Sequence, residues 1–567
     1  MLPTLLAIAA IALGLFIALG LSVTPASAQR PDLDADQKAA STASADELLR
    51  LGLQLESESK WGEAIEHYES AHRRFSNDRT FYQRLLISRL HFDVNRRYRD
   101  ETFLQSVREL TASQTLDLYT EILANLQTHY VDTLEWSRVL LHGTAALEVA
   151  LTEPAFVNRV AATADPSRLE TFRQEIHHRI GNRPTLSRFD LRATVSLVAK
   201  MANEELGIAG TATILEYVGG AVATLDPYTR LLSSGQLDEM FSTIRGNFVG
   251  LGVELKPQDD ALQILSVIPG GPAAEAGITA GDRVLEVAGV SVSDRGATHV
   301  ADLLRGPEGS VAVLRVAGMS GNFRMVKVAR RRVEVPSVEN AQIIDPAMGI
   351  GYFRITNFQE TTPREVEQAL WKLHREGMRT LVMDLRENPG GLLNAAVDVA
   401  DRFITDGPIV TTRGRNPSEN RAHMAHRPNT WDMPLVVLID RNSASASEIF
   451  SGAIRDAKRG TVIGETSYGK GRVQGIFRMQ SARFGLCLTT SEFYSPSGRA
   501  IDQIGVEPHI AVSKGYIMAR PDHAGRVITP ASDTTLQQAI AYLRNPNASV
   551  ADAHRTDPRS YVNTTAR

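Results

Sequence analysis

The chain has 567 residues, of which 43% are hydrophobic and 22% charged, and its formal net charge is -4. This length predicts three to four domains, and the interspersed charges of both signs give no case for nucleic-acid binding. The one cysteine, Cys487, cannot form an intramolecular disulfide and excludes a zinc site built from several cysteines. It lies in a strand-like run and is best explained as a small core residue.

The N-terminus has the composition of an export signal. Residues 2–23 carry no charged side chain, and Ala26-Ser-Ala28 fits a small-residue cleavage site. The segment before the apolar run lacks Lys and Arg, and the run is long enough to span a bilayer. We expect residues 1–28 to be a signal peptide or a membrane anchor. Either places the protein outside the cytoplasm, and the scarcity of cysteine favours a bacterial periplasm.

The next part of the chain is predicted to be helical. Residues 29–45 have the composition of a linker, and 29–100 are assigned as a helical unit that includes it. Six residues of this unit resemble one tetratricopeptide repeat, but no second copy follows, and a plain helical hairpin explains them equally well. They are Leu51, Gly52, Trp61, Ala64, Tyr68 and Ala71. Residues 101–240 continue as helices. One helix there has an apolar face formed by Leu116, Tyr119, Ile122, Leu123 and Leu126.

Two pairs of histidines invite a metal-site interpretation. They are His177 with His178, and His423 with His426. Neither pair has carboxylate partners at ligand spacing, so we interpret them as solvated side chains and predict no metal and no cofactor.

Residues 241–335 resemble a PDZ domain. The phrases that carry the resemblance begin at Pro272 (Pro-Ala-Ala-Glu-Ala-Gly-Ile) and at Gly281 (Gly-Asp-Arg-Val-Leu-Glu-Val-Ala-Gly). A glycine-rich loop precedes them, and its backbone N–H groups could hold a terminal carboxylate while the next strand edge pairs with a peptide. The three residues that would do so are Gly250, Leu251 and Gly252. The alternative is that these glycines only form a tight turn.

Arg305 follows in the same region, in the stretch Leu-Leu-Arg-Gly-Pro-Glu-Gly. We interpret it either as a contact that couples the PDZ-like region to the part that follows or as a solvated surface residue.

Residues 336–515 are predicted to form an α/β body. Its pattern is strand, helix, strand, then a glycine turn and a helix, formed by Gly349–Ile355, Thr362–Glu376, Thr380–Arg386, Asn388–Gly391 and Leu392–Ile404. The turn reads Asn-Pro-Gly-Gly, which by itself is consistent with a plain strand-to-helix connection.

The part of this body that suggests chemistry lies between residues 435 and 475. An apolar run ends at Ile439, Ser445 begins a helix, and a glycine-rich loop carries Lys470. A helix N-terminus offers unpaired N–H groups and a positive dipole end to an oxyanion. A serine there needs a base, and a buried lysine with a lowered pKa can serve. The alternative is that Ser445 and Glu448 only form a capping box.

These motifs resemble the C-terminal processing, or tail-specific, serine proteases. That family has a Ser-Ala-Ser-Glu segment followed by a Gly-Lys-Gly-x-x-Gln segment. The resemblance implies a multidomain α and α/β protein with an N-terminal helical, TPR-like region, a PDZ domain and a crotonase/ClpP-like α/β protease core. It assigns the nucleophile to Ser445, the base to Lys470 and the orientation of that lysine to Gln474. The oxyanion would be bound by the N–H groups of Ala446 and Gly391.

The resemblance also implies a function. The chain would be a cell-envelope serine endopeptidase that recognises accessible, apolar protein C-termini and needs no cofactor. If residues 2–23 are not cleaved, they would be a membrane tether, and the helical region could bind an adaptor or mediate self-association. The alternative is an inactive PDZ and helical-repeat scaffold. A Ser-His-Asp hydrolase is disfavoured because no Gly-x-Ser-x-Gly elbow precedes a suitably placed acid and histidine.

The last segment, residues 516–567, is predicted to hold one helix over Thr535–Leu543 and to end in a disordered tail.

Overall fold

The computed structural model describes most of the chain. The described ranges are 7–9, 44–180, 183–223, 225–258, 261–292, 303–304, 306–318, 321–426, 428, 430–512 and 533–545. The predictions for Arg305, for the disordered tail and for nearly all of the export signal therefore lie outside the described residues. From the N-terminal segment only strand β1 (Ala7–Ala9) is described.

Residues 44–223 form helices, as predicted. Several begin at Ser, Thr or Asp side chains that accept a hydrogen bond from the first turn, which is the usual helix start, and two have proline in their first turn. The helices are α1 (Ala45–Ser57), α2 (Trp61–Arg74), α3 (Arg79–Arg97), α4 (Glu101–Glu109), α5 (Ala112–His129), α6 (Trp136–Ala150), α7 (Pro154–Val160), α8 (Pro166–Arg179), α9 (Arg188–Leu206) and α10 (Gly210–Ala223).

The predicted apolar face belongs to α5. Tyr119, Ile122, Leu123 and Leu126 are fully buried, while Leu116 packs at the edge of their cluster. None of the described helices combines the length and apolarity needed to cross a bilayer.

A short strand and a helix connect this region to the next. Strand β2 (Arg230–Leu232) precedes α11 (Ser234–Ile244), so the predicted boundary at residue 240 falls inside a helix. Ser233 caps the start of that helix by accepting from the N–H of Gln236, and the buried residues Leu237, Met240 and Ile244 continue its apolar face past the expected boundary.

The PDZ region is a small antiparallel sheet around its own apolar cluster. Its strand order is β4-β5-β6-β8-β9, with β7 beside β6. The elements are β4 (Val253–Gln258), β5 (Ala261–Val267), α12 (Pro272–Glu275), β6 (Arg283–Val287), β7 (Val290–Ser291), β8 (Val311–Ala317) and β9 (Phe323–Ala329). Strands β3 (Asn247–Gly250) and β10 (Arg331–Glu334) pair at its base.

The α/β body contains two sheets with helices between them. The first has the order β11-β12-β13-β17-β18-β21, and the second has β14-β1-β19-β20-β15-β16 with β2 on β20. The elements are β11 (Val338–Asp345), β12 (Ile350–Ile355), α13 (Thr362–Arg375), β13 (Thr380–Asp384), β14 (Gly391–Leu392), α14 (Leu393–Ala400), β15 (Pro408–Arg413), β16 (Arg421–Met424), β17 (Leu435–Ile439), α15 (Ala446–Asp456), β18 (Thr461–Gly464), β19 (Arg472–Arg478), β20 (Gly485–Tyr494), β21 (Ile510–Ala511) and α16 (Thr534–Arg544).

Parallel pairing brings three loops of this body together. Strands β13, β17 and β18 are parallel neighbours, and Asp384 lies opposite Leu438 while Ile439 lies opposite Gly464. Their carboxyl ends therefore meet at one edge of the sheet, where ligands bind in open α/β sheets. The Asn-Pro-Gly-Gly turn, Ser445 and the loop carrying Lys470 each leave from that edge.

Helix α16 covers the other face of the first sheet, close to its predicted position. Its residues Leu536, Ala539, Ile540 and Leu543 share an apolar cluster with residues of β12, β13, β17 and β18.

Candidate active site

Ser445 has a strained backbone at the start of α15. Its φ is 59° and its ψ is -112°, a region that residues with a side chain rarely occupy and that functional sites often contain. The residue is fully buried, and its Oγ has no hydrogen-bond partner among the described residues. The backbone N–H, not the hydroxyl, contacts Glu448, at 2.7 Å. The hydroxyl is therefore not used up in capping the helix.

The carboxylate of Glu448 joins Ser445 to the loop that carries Lys470. Its Oε2 accepts from the N–H groups of Ser445 at 2.7 Å and Lys470 at 2.8 Å. Its Oε1 accepts from Gly469 N–H at 2.7 Å and from Ser467 Oγ at 2.6 Å. Three of these partners can only donate, which favours the ionised form of the carboxylate. Burial raises the pKa of Glu448, and these hydrogen bonds oppose that rise.

Sequence reasoning gave Glu448 only a capping role. The Ser-x-x-Glu spacing was the available signal, but the partners at 467–470 come from a distant loop.

The Asn-Pro-Gly-Gly turn is tied to both sheet and nucleophile by Asn388. Its side chain donates to Ile355 O at 2.8 Å and accepts from Gly390 N–H at 2.9 Å. Its backbone oxygen accepts from Ala444 N–H at 3.0 Å and from Ser447 Oγ at 3.0 Å. The turn is thereby held directly beside the start of α15.

Both glycines of the turn are required by close packing. A Cβ on Gly390 would lie 2.7 Å from Ser445 Cβ and 3.0 Å from Ala446 N, and one on Gly391 would overlap Phe358 O. Their φ angles, 109° and 138°, also favour glycine. The structure therefore places Gly390, the neighbour of the predicted donor Gly391, directly against Ser445 and Ala446. Ala446 is the first residue of α15, so its N–H has no intrahelical acceptor.

The amine of Lys470 lies in a buried position. The side chain is 3% exposed, and Nζ has no hydrogen-bond partner among the residues that the structure describes. Nζ lies 4.8 Å from the ring centroid of Tyr228. Burial lowers the pKa of Lys470 to about 7, with a further lowering by the charge of Arg230. A substantial fraction of the amine is therefore neutral near pH 7.

The predicted hydrogen bond from Gln474 to this amine is not present. The Gln474 amide nitrogen contacts Arg472 O at 3.3 Å and Thr489 Oγ1 at 3.4 Å instead. The bulge in the β19–β20 register between Val473 and Gln474 accompanies this arrangement. Ser445 Oγ and Lys470 Nζ are not hydrogen-bonded to each other either. Catalytic hydrogen bonds in unliganded sites commonly tighten only when substrate binds.

The glycines on both sides of Lys470 allow a neighbouring segment to approach. A Cβ on Gly469 would lie 3.0 Å from the backbone of Gln503, and one on Gly471 would overlap the backbone of Asp502. Asp502 also accepts from Gly471 N–H at 3.2 Å. The Gly-Lys-Gly motif thus fixes the loop against residues 502–503.

A second buried ionic network lies behind the turn, and sequence reasoning missed it. Arg386 donates to Asp384 (Nη2 to Oδ2, 2.6 Å) and to Asp533 (Nη1 to Oδ1, 2.8 Å; Nη2 to Oδ2, 2.7 Å). All three are at least 98% buried. Asp384 and Arg386 at the end of an apolar strand were a signal for a buried ion pair. Nothing in the sequence, however, placed Asp533, the cap of α16, beside them.

The predicted PDZ residues lie between β3 and β4. Gly250 ends β3, Leu251 is buried, and Gly252 has a φ of 75°. The carbonyls of Leu251 and Gly252 accept from Ala273 N–H and Ile268 N–H, each at 2.9 Å. The strand that follows, β4, is an edge strand of the described sheet.

The two histidine pairs contact acidic residues after all. His177 Nδ1 lies 3.0 Å from Glu148, and His426 Nδ1 lies 3.1 Å from Asp401. The sequence gave no carboxylate partner because both come from distant positions. Within the described ranges, no group of three or more His, Cys, Asp or Glu side chains is arranged to hold a metal ion.

Two sequence families match this chain. Peptidase family S41 matches residues 349–512, and the PDZ domain matches residues 263–318. The first match contains both Ser445 and Lys470.

Curated proteins similar to this chain are named as carboxyl-terminal-processing proteases. The carboxy-terminal-processing protease of Bartonella bacilliformis is 35% identical over 303 residues, which cover 52% of this chain and 69% of that protein. The carboxyl-terminal-processing protease of Synechocystis sp. is 32% identical over 340 residues, covering 59% and 77%. A solved photosystem II D1 C-terminal processing protease is 27% identical, covers 67% of this chain and 94% of its own, and has a TM-score of 0.33. This chain therefore belongs to the carboxyl-terminal-processing proteases of peptidase family S41.

Proposed function

We propose that this protein is a serine endopeptidase of the cell envelope that cleaves by a Ser445–Lys470 dyad and binds protein C-termini through its PDZ domain. The observation that carries the proposal is the shared Glu448 oxygen. It holds the backbones of Ser445 and Lys470 side by side, while both functional groups stay buried and without a hydrogen-bond partner in the described structure. Buried polar groups without partners are costly and call for a functional explanation.

The reaction begins when Ser445 Oγ attacks the carbonyl carbon of the scissile peptide bond. Neutral Lys470 Nζ takes the hydroxyl proton, and the resulting ammonium then gives it to the leaving amine. The hydroxyl and the amine are not hydrogen-bonded without substrate, and we expect them to come into hydrogen-bond contact when substrate binds, because the two backbones are held together by Glu448. Water, with Lys470 again as base, then hydrolyses the acyl-enzyme.

The oxyanion is stabilised by the N–H groups of Ala446 and Gly391. The start of α15 adds its positive dipole end. A donor of this kind contributes roughly 3 to 4 kcal/mol to the transition state. Gln474, which donates elsewhere in the unliganded site, orients the lysine only if it changes partner when substrate binds.

Substrate would lie in an extended conformation beside this site. The edges of β14 and β19 face each other across a gap of one strand, and β1 pairs antiparallel with both, Ile8 opposite Leu392 and Gln474. A peptide strand in that place would pass the turn that carries Gly391. The free edge of β4 would pair with an apolar C-terminus, whose carboxylate the N–H groups of residues 250–252 would bind.

Loss of cleavage in two single variants tests the proposal. Purified Ser445→Ala and Lys470→Ala proteins should no longer degrade denatured casein, while their circular dichroism stays that of the wild type. Lys458→Ala, at an exposed lysine just after the same helix, should keep full activity. Cleavage by Lys470→Ala protein would refute the dyad. A wild type that binds C-terminal peptides but cleaves nothing would support the scaffold alternative.

A further inference from the structure

A tyrosine from outside the protease core covers the amine of Lys470. Nζ lies 4.8 Å from the ring centroid of Tyr228 and is buried without a hydrogen-bond partner in the described part of the chain. Tyr228 itself is half-buried. Its ring therefore forms part of the boundary between the amine and solvent.

The segment that presents this ring is fixed to the strand beside the site. Asp226 Oδ1 accepts from Tyr228 N–H at 2.7 Å, from Thr229 N–H at 2.8 Å and from Thr489 Oγ1 at 3.0 Å. Strand β2 follows at once and pairs with β20, Arg230 opposite Cys487. The link between the helical region and the PDZ domain thus supplies one wall of the lysine site.

We propose that Tyr228 is a positioning residue for Lys470: the ring of Tyr228 excludes water from the lysine amine and keeps this base neutral for catalysis. The inference rests on the proposed function, because a neutral amine matters only if Lys470 is the base. Tyr228 does not touch the reacting atoms of the substrate in this account and acts through the lysine alone.

The ring has two opposing effects on the amine. Its face attracts a cation and so favours the ammonium, whereas the exclusion of water disfavours it. Burial is the largest cause of the lowered pKa of Lys470, and we therefore expect the exclusion of water to be the stronger of the two effects. The other groups that face the amine are Arg230, which lowers this pKa, and Cys487, Glu448 and Asp226, which raise it.

The test compares the pH dependence of kcat/KM for cleavage of a fluorogenic peptide in Tyr228→Ala, Tyr228→Phe and wild-type protein. Tyr228→Ala admits water to the amine. The acid limb, which is the pH at which kcat/KM falls on the acid side and lies at about 7 in the wild type, should therefore rise by at least about one pH unit. A shift of one unit lowers kcat/KM about fivefold at pH 7, since the neutral fraction falls, and leaves the alkaline plateau unchanged. Tyr228→Phe keeps the ring and should keep the acid limb. Tyr82→Ala, at an exposed tyrosine of α3, is the matched control.

The outcomes separate this inference from the proposed function. An unshifted or lowered acid limb in Tyr228→Ala, in an enzyme that still depends on Lys470, overturns the role of Tyr228 alone. An NMR titration of the Lys470 side chain in the same variants tests it without activity, even where the proposed function fails. If Tyr228→Ala does not fold, Tyr228→Gln admits water in the same place, and an unchanged titration there overturns the inference equally.

Discussion

Replacement of Glu448 by glutamine should weaken the fold and largely inactivate the enzyme. The carboxylate accepts two hydrogen bonds on each oxygen, whereas a carboxamide has one accepting oxygen and one donating nitrogen. The glutamine side chain costs less when its amide nitrogen takes the place of Oε1. Ser467 can then turn its hydroxyl to accept from this nitrogen, but the N–H of Gly469 loses its acceptor.

The size of the effect follows from that lost bond. A hydrogen bond to a charged group contributes about 1.5–3 kcal/mol, so we expect the free energy of unfolding to fall by about 2–3 kcal/mol. The loop carrying Lys470 would also shift against Ser445, and a misplacement of about 1 Å costs on the order of a hundredfold in rate.

The assay is urea unfolding followed by circular dichroism, together with kcat/KM on a fluorogenic peptide. The control is Glu465→Gln, which removes a partly exposed ion pair with Arg441 at 2.9 Å and should cost less than about 1 kcal/mol. If Glu448→Gln unfolds at the wild-type urea midpoint and keeps kcat/KM within about twofold, the proposed link between Ser445 and Lys470 is refuted.

Three further changes have defined outcomes. Lys470→Met should be more stable than the wild type at pH 6, by at most about 5 kcal/mol, and should lose that advantage by pH 10. The pKa of Lys470 falls from 10.5 to about 7 on folding, so the stability of the wild type rises between pH 7 and pH 10.5. Urea unfolding at pH 6 and pH 10 would give the same difference between the two proteins if the amine titrates normally. Asp533→Asn should lower the free energy of unfolding by about 3–5 kcal/mol because it leaves Arg386 buried with one charged partner fewer. The control Arg544→Gln, which breaks the exposed contact of the same helix with Asp345, should lower it by less than about 1 kcal/mol. Equal urea midpoints for the two variants would contradict this prediction. Gly391→Ala should abolish cleavage because the added Cβ would overlap Phe358 O. The control Gly498→Ala, at a φ of 81° with open space around it, should lower the free energy of unfolding by only about 1–2 kcal/mol and keep its activity. An active Gly391→Ala enzyme would exclude the Asn-Pro-Gly-Gly turn from the oxyanion site.

The sequence was sufficient for three of the strands that lead into the site. Apolar runs and turn residues predicted β12, β13 and β17, and the parallel pairing in the structure places the loops after β13, β17 and β18 together. The motifs likewise led to Ser445 and Lys470. These predictions depend on local patterns that the chain repeats in every strand–turn–helix unit.

The surroundings of the two residues could not be predicted in the same way. The partners of Glu448 and the wall formed by Tyr228 depend on which side chains distant segments bring to the site. The orientation of Lys470 by Gln474 stays a prediction, since in the described structure the Gln474 amide donates to Arg472 O and Thr489 Oγ1. A side-chain partner is fixed by packing and strand register, which motif spacing does not specify.

The central claim is that Lys470 is an uncharged base near neutral pH. NMR titration of selectively labelled lysine in Ser445→Ala protein measures this directly, with Lys470→Met to assign the signal. We expect one lysine to titrate with a pKa of about 7. A Lys470 signal that stays protonated to pH 9 or above would contradict the account.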